Sequence, residues 1–332
     1  CSMKIFITGA SGFVGYHLVR AAKALGLEVQ AAVRPSSNIE DIRPFVDKFV
    51  YPDLGDTESL KYLFDREQYN YIIHAAALTR AKNEEIMWDV NVGYTESILK
   101  AAFTAQFPLE RVCYVSSLAA LGPIGYDSSA WMHEASPYRP LTVYGRSKSA
   151  TELMIQEKFG EKAISVFRPT AVYGPRERDI FLVFETMSRG LDLYIGNKPQ
   201  KLSFVYVKDL VDVLLQGCVL PQEGLQFYNI TDGQVYSRYR MAEIFREVFQ
   251  KKLWRMHVPY GMVKVVADVS QRLYRSSSKT PVLYPERLKE LTAENWGCDI
   301  SKAKEVLGFN PIYDLEKGLR ETLLWYKENN WL

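Results

Sequence analysis

A glycine turn close to the start of the chain constrains its fold more than any other feature. A short apolar run, Lys4 to Thr8, leads into Thr8-Gly9-Ala10-Ser11-Gly12-Phe13-Val14-Gly15, and an amphipathic stretch, His17 to Leu25, follows. In such a strand–turn–helix the first glycine makes the tight turn, the second lets backbone approach a bound pyrophosphate, and the third lets helix pack on strand. The helix N-terminus then offers aligned N–H donors to the anion. A glycine trio alone is a weak signal; strand, turn and helix in this order make it a dinucleotide-binding turn. Gly9, Ser11, Gly12, Phe13, Val14 and Gly15 are its candidate contacts.

The same alternation continues through the first half. Apolar runs at Glu28 to Val33, Lys48 to Tyr51, Tyr71 to His74, Arg111 to Ser116 and Ala163 to Phe167 read as strands, and the segments between them have helical period. Strands rich in Ile, Val and Phe, with little polar alternation, belong in a parallel sheet covered on both faces. The expected class is therefore α/β, a doubly wound parallel sheet of the Rossmann type with right-handed crossovers.

Past Tyr173 the rhythm changes to longer helical stretches: Ile180 to Gly190, Tyr239 to Gln250, Tyr260 to Tyr274, Pro285 to Glu290 and Leu315 to Asn329. They predict a smaller, helix-rich C-terminal lobe. Phe204 to Leu220 reads as a short strand plus helix and Phe227 to Thr231 as one more strand, so the chain returns to the sheet. The expected division is 3–173 plus 201–232 for the dinucleotide-binding domain and 174–200 plus 233–332 for a substrate-binding lobe, in keeping with ~150 residues per domain.

Composition excludes several classes. Lys plus Arg number 41 and Asp plus Glu 39, a net +2 that lacks the one-sided basic field of a nucleic-acid or membrane-surface binder. Cys1, Cys113, Cys218 and Cys298 are far apart with no Cys-x-x-Cys, against both a disulfide framework and a zinc site. His17, His74, His133 and His257 are equally scattered, so no metal is expected. The longest apolar stretch, Val205 to Leu220, is broken by Lys208, Asp209 and Asp212, and the run after Lys4 is too short for a signal peptide. A cytoplasmic protein with reduced thiols is the expectation, with Cys1-Ser2 ahead of Met3 read as a cloning remnant.

The end of the second strand bears on the cofactor. An acid there bonds the adenosine ribose of NAD, whereas an arginine accommodates the 2′-phosphate of NADP. The chain reads Val33-Arg34-Pro35-Ser36-Ser37-Asn38. With no acid present, Arg34 together with Ser36, Ser37 and Asn38 forms a candidate phosphate clamp. NADP is expected and NAD is the alternative; a solvated arginine at a strand end is the other reading of Arg34.

Tyr144-Gly145-Arg146-Ser147-Lys148 opens a helical stretch reaching Phe159, and the i, i+4 spacing puts phenol and ammonium on one face. A free phenol has a pKa near 10, so acid/base work near pH 7 requires ~3 units, about 4 kcal/mol. A neighbouring Lys148 and a positive nicotinamide both favour phenolate. The strand Arg111 to Ser116 runs into Ser117 at the end facing the cofactor crevice, where a hydroxyl can hold a substrate oxygen.

Taken in order, these residues resemble the extended short-chain dehydrogenases/reductases of the NAD-dependent epimerase/dehydratase group. That group includes sugar-nucleotide epimerases and dehydratases, dihydroflavonol reductases and 3β-hydroxysteroid dehydrogenases. The resemblance covers nearly the whole chain. Asp53-Leu54 is similar to the group's adenine-binding segment, His74-Ala75-Ala76 to its motif under the cofactor, and Asn91 to its helical asparagine. Ser117 falls where the group keeps a catalytic Ser or Thr, with Ser116 as fallback, and Tyr144 and Lys148 match its catalytic pair. Arg168 to Pro175 is similar to the segment in which Pro169 and the backbone around Val172 meet the nicotinamide. The resemblance implies that Tyr144 exchanges a proton with the substrate oxygen, that Lys148 lowers its pKa and bonds the ribose, and that Ser117 fixes the oxygen. It also implies a homodimer built on the Tyr144 to Phe159 and Glu84 to Ala105 helices.

The substrate is less legible. Sugar-nucleotide members carry an arginine two residues before the Phe204 segment; here that residue is Leu202. Lys201, Arg176 and Arg178 are the cations left to meet a diphosphate, and each reads equally as a solvated surface charge. Thr79, Arg80, Arg176 and Tyr206 are candidate substrate contacts, each with a packing or surface role as the alternative. Leu118-Ala119-Ala120-Leu121 after Ser117 lacks the acid pair a 4,6-dehydratase wants. The expectation is an NADPH-dependent reductase acting on a small molecule at a secondary alcohol or ketone. An NAD-dependent sugar-nucleotide epimerase is the alternative, and a non-catalytic NADP sensor the second.

Overall fold

The computed structural model describes residues 2–332; Cys1 lies outside them. Its first half alternates β1 (Lys4–Thr8), α1 (Phe13–Ala24), β2 (Glu28–Ala32), β3 (Lys48–Val50), α2 (Thr57–Glu67), β4 (Tyr71–His74), α3 (Glu84–Trp88), α4 (Thr95–Ala102), β5 (Arg111–Val115), α5 (Val143–Phe159) and β6 (Ile164–Pro169). Strand Gln226–Ile230 joins beside β6. The seven-stranded sheet then runs Gln226–Ile230, β6, β5, β4, β1, β2, β3, all parallel. This is the doubly wound sheet the apolar runs predict.

Both faces of the sheet are covered, which is why its strands show so little polar alternation. On one side Ile5, Ile7, Val29 and Ile73 pack with Leu18 and Val19 of α1 and with Leu210 and Leu214 of helix Val207–Val219. On the other, Phe6, Ile72, Val112 and Val166 pack with Leu60 and Phe64 of α2, Ile98 of α4 and Ile155 of α5. The chain leaves β1 toward β2 on one side while β4 lies on the other, so Thr8 and His74 pair at the topological switch point, the place where open α/β sheets bind their ligands. A third apolar cluster gathers Tyr173, Phe184, Phe204 and Phe245 around Leu319, Leu323 and Tyr326 of helix Leu315–Glu328.

Two features depart from the sequence pattern. The stretch Glu84 to Ala105, read as one helix, is broken by a π-helical segment at Asp89–Tyr94, and that wider turn carries Asn91 inward. Strands Leu191–Ile195 and Trp254–Val258 form a separate parallel pair, short and half-exposed, which left no continuous apolar run to read. No helix among the described residues is long and apolar enough to cross a membrane.

Candidate active site

The glycine turn closes on itself as its spacing implies. Gly9 has φ +70, and a Cβ there would lie 2.8 Å from the Ala76 nitrogen; at Gly15 it would lie 2.0 Å from the Gly9 carbonyl oxygen. Neither position tolerates a side chain. Gly12 begins α1 with no side-chain cap, and a Cβ there would meet only the Gly9 oxygen, at 3.5 Å. The first N–H groups of α1 are thus open to an anion, and Ser11 beside them is exposed, so the turn fits a dinucleotide pyrophosphate. Phe13 and Val14 are half-buried on the first turn of the helix.

Behind the turn runs a chain of hydrogen bonds. The Thr8 hydroxyl accepts from the N–H groups of Ala75 (3.0 Å) and Ala76 (3.1 Å), so its own proton goes to His74 Nδ1 at 2.7 Å. His74 Nε2 then donates to Thr95 Oγ1 (3.1 Å), which donates to the Asn91 carbonyl (2.8 Å). Burial, with the Lys148 ammonium nearby, holds His74 down to about 3, so it is neutral and carries its proton on Nε2. His74, Ala75 and Ala76 therefore brace the turn from within. Asn91 does similar work. Its amide pairs with both backbone groups of Leu78 (2.8 and 2.9 Å) and donates to Ser147 Oγ (3.0 Å), which donates to the Tyr144 carbonyl (2.7 Å).

At the C-terminal ends of β2 and β3 the candidate adenosine contacts line up. Arg34 is exposed; its N–H donates to Ser37 Oγ (3.1 Å) and its carbonyl accepts from Ser37 N–H (3.0 Å), closing a tight turn. Its guanidinium forms no ion pair with the described residues. Asp53 is exposed and accepts from Gly55 N–H (2.9 Å), with Leu54 packed at the edge of the core.

Helix α5 carries Tyr144 and Lys148, the candidate acid/base pair. Thr142 caps its start, accepting from Gly145 N–H, and Glu286 accepts from Val143 N–H at 2.7 Å. Tyr144, on the first turn, faces a cavity. One turn later Lys148 is buried, donating to the Val115 carbonyl (3.0 Å) and the Tyr114 hydroxyl (3.2 Å), with Nζ 5.8 Å from the centre of the Tyr144 ring. Burial pushes the Tyr144 phenol up to about 12, with the Ser117 hydroxyl pulling it down. Burial lowers Lys148 to about 7, with Glu152 opposing. Ser117 caps the turn Leu118–Ala120, accepting from Ala119 N–H at 3.1 Å, whereas Ser116 points inward and donates to Glu152 Oε2 at 2.6 Å. Of the two serines it is Ser117 that stands beside Tyr144. Glu152 and Tyr114 also belong to this arrangement; the only trace of Glu152 in the sequence is its position four residues beyond Lys148.

The cavity over Tyr144 has a volume of about 620 Å³. Thr79, Arg80 and Thr142 line it from the sheet side; Tyr274, Tyr284 and Glu290 face them from the C-terminal segments. Pro169 ends β6, and half-buried Val172 pairs with Val205 in a short parallel ladder. The other two candidate substrate contacts lie elsewhere. Arg176 stacks 4.1 Å from the Tyr16 ring centre and pairs with Asp41, lining a separate cavity of about 320 Å³ against α1. Tyr206 is wholly buried, its hydroxyl bonded to Glu321 and its ring 4.3 Å from that of Tyr313. Lys201 is likewise engaged, donating to the Tyr126 carbonyl at 2.9 Å, and Arg178 lies over the Trp331 ring.

Residues 5–231 match the sequence model of the NAD dependent epimerase/dehydratase family. The chain belongs to that family. It is accordingly an enzyme of the extended short-chain dehydrogenase/reductase type. It is 26% identical to a UDP-glucose 4-epimerase of Vibrio cholerae over 98% of this chain and 96% of that one. It is also 26% identical to sterol demethylase protein B of Methylococcus capsulatus, over 98% of this chain and 99% of that one. Among solved structures, the Thermus thermophilus UDP-glucose 4-epimerase in complex with NAD superimposes with a TM-score of 0.76 at 21% identity, covering 98% and 99% of the two chains. For this epimerase/dehydratase family member the solved structure speaks to the fold alone.

Proposed function

We propose that this enzyme is an NADPH-dependent reductase that converts a secondary ketone to an alcohol over Tyr144. The observation that carries the reading is Arg34: at the end of β2, where NAD calls for an acid, an exposed guanidinium without a carboxylate partner stands beside the glycine turn. Gly9, Ser11, Gly12, Phe13, Val14 and Gly15 would hold the pyrophosphate, Arg34 and Ser37 the 2′-phosphate, Asp53 and Leu54 the adenine, and Pro169 and Val172 the nicotinamide. The bound nicotinamide supplies the hydride. Ser117 donates a hydrogen bond to the substrate carbonyl oxygen, and Tyr144 gives that oxygen its proton as the carbon is reduced. Lys148, fixed by Val115 and Tyr114, favours the phenolate this leaves. Residues 3–173 plus 201–232 would bind the cofactor, and 174–200 plus 233–332 the substrate. A cytoplasmic homodimer through α5 and the Glu84 to Ala105 stretch belongs to the same reading.

An NAD-dependent sugar-nucleotide epimerase is the second reading, favoured by the likeness to the Vibrio cholerae UDP-glucose 4-epimerase. Against it, Leu202 replaces the arginine that would meet a diphosphate, and Lys201, Arg176 and Arg178 are engaged away from the cavity, which leaves Arg80, Lys82, Arg275 and Arg287 as the cations lining it. Thermal unfolding with each cofactor separates the two. A ligand at ~100 times its dissociation constant adds about 2.7 kcal/mol, a shift of a few degrees. Selective stabilisation by NADP, with ketone-dependent NADPH oxidation, supports the reductase. Selective stabilisation by NAD, or NAD retained through purification, supports the epimerase.

A further inference from the structure

Helix Tyr260–Leu273 is built the wrong way round for a globular helix. Ala267 is its one buried residue. On the opposite face Met262 (62% exposed), Val265 (61%), Val266, Val269 and Leu273 (73%) point outward, and spacings of three, one, three and four place them on one stripe. Helix Val207–Val219, of similar length, buries nine of its residues. Five large apolar side chains in one continuous stripe exceed the scatter of single exposed residues found on any soluble surface.

The surroundings of the stripe say what covers it. Tyr260 and Tyr274, at its two ends, are exposed, as is Trp254 (67%) in the preceding strand, and such rings favour the level of lipid headgroups. Residues 251–279 hold seven Lys or Arg against Asp268 alone, +6 in a chain of net +2, so the remaining residues sum to −4. Of those seven cations only Arg255 forms an ion pair among the described residues, with Asp192. The near-zero net charge thus conceals one basic segment, and the apolar stripe lies within it. Fourteen residues are too few to span a bilayer, which takes ~20, but suit a helix lying in its plane.

We propose that helix Tyr260–Leu273 docks on an anionic lipid surface, its apolar stripe in the headgroup boundary and the basic residues of 251–279 against lipid phosphates. The same helix and the turn after it help wall the active-site cavity through Gln271, Tyr274 and Arg275. Lys82 donates to the Tyr274 carbonyl and Arg80 to that of Pro281, tying this segment to the loop leaving β4. Docking therefore sets the mouth of the cavity at the membrane surface.

The test is flotation of the full chain with vesicles of phosphatidylcholine alone and with about 30% phosphatidylglycerol, at low and high salt. Val265→Glu/Val269→Glu breaks the stripe and Lys264→Gln/Arg272→Gln weakens the charge; all four side chains are exposed, so thermal unfolding midpoints should stay within ~2 °C. The expected result is binding to the anionic vesicles that falls with salt, drops at least ~10-fold in the glutamate variant and falls several-fold in the glutamine variant. Absence of binding to anionic vesicles, or equal binding by both variants, overturns the proposal. So does a concentration-dependent dimer in lipid-free buffer that the glutamate variant abolishes, since that would assign the face to a second copy of the chain.

Discussion

Arg168 holds Glu152 one helical turn beyond Lys148, with Nη2 2.6 Å from Oε1 and Nε within 3.2 Å of both carboxylate oxygens. Ser116 and Tyr138 donate to the same carboxylate, and Glu152 is fully buried. An ion pair this dry adds little net stability, because desolvation offsets most of the attraction, but losing one partner strands the other. Its position suggests what it is for. Glu152 is the nearby carboxylate that opposes the burial-driven lowering of the Lys148 ammonium.

Glu152→Gln should therefore destabilise the fold by about 3–5 kcal/mol, as Arg168 is left uncompensated. The double variant Glu152→Leu/Arg168→Met should lose less than the sum of its single changes. Denaturant unfolding of the four proteins in a double-mutant cycle reads the coupling directly. Additive losses would show that the pair acts as two independent residues.

How much of this was legible follows from the kind of signal each feature leaves. Each of the first six strands lies within two residues of its apolar run, because burial on both faces writes a continuous pattern. Tyr144 and Lys148 show through the i, i+4 rule. Glu152 obeys the same rule, yet a glutamate on a helix usually faces water, and only the tertiary partner Arg168 reveals otherwise. Tyr206 and Arg176 sit in motifs near the site, but their directions depend on Glu321 and Asp41, far away in sequence. Helix Tyr260–Leu273 has helical period, but periodicity marks a face without saying whether it points in or out.

The catalytic assignment predicts a division of effects. Tyr144→Phe removes the proton donor and should lower turnover by at least ~10²–10⁴-fold while cofactor affinity stays within a few fold. Ser117→Ala removes one hydrogen bond to the substrate oxygen and should cost about 10²-fold. Steady-state kinetics beside cofactor titration checks both; near-normal turnover in Tyr144→Phe would remove it from the mechanism.

Stability should depend on pH through Lys148 and His74. Lys148 is held at about 7 against an ordinary 10.5, so between those values the unfolded chain binds a proton that the folded chain does not. Stability then rises with pH across that interval, and Lys148→Met should flatten the rise. His74, held at about 3 against 6.5, acts in the same direction lower down: stability falls as pH drops below 6.5 toward 3. Unfolding free energies measured from pH 4 to 10 on the two proteins give both slopes, and an unchanged slope above pH 7 in Lys148→Met would contradict the burial argument.

On the proposed reading, Arg34 sets which cofactor the enzyme draws on. The Arg34–Ser37 turn is closed by backbone bonds and the Ser37 hydroxyl, so truncating the exposed Arg34 side chain leaves the turn intact. On that reading Arg34→Ala removes the cation that would meet the 2′-phosphate, and one charge-assisted contact contributes about 1.5–3 kcal/mol, or roughly 10- to 100-fold in dissociation constant. NADP affinity should fall by that factor while NAD affinity stays level, and Arg34→Asp should go further by bonding the ribose hydroxyls of NAD. Calorimetric titration of the three proteins with both cofactors measures this. Equal losses for NADP and NAD would mean that Arg34 supports the turn itself, and unchanged NADP affinity would leave it a solvated arginine and return the epimerase reading to first place.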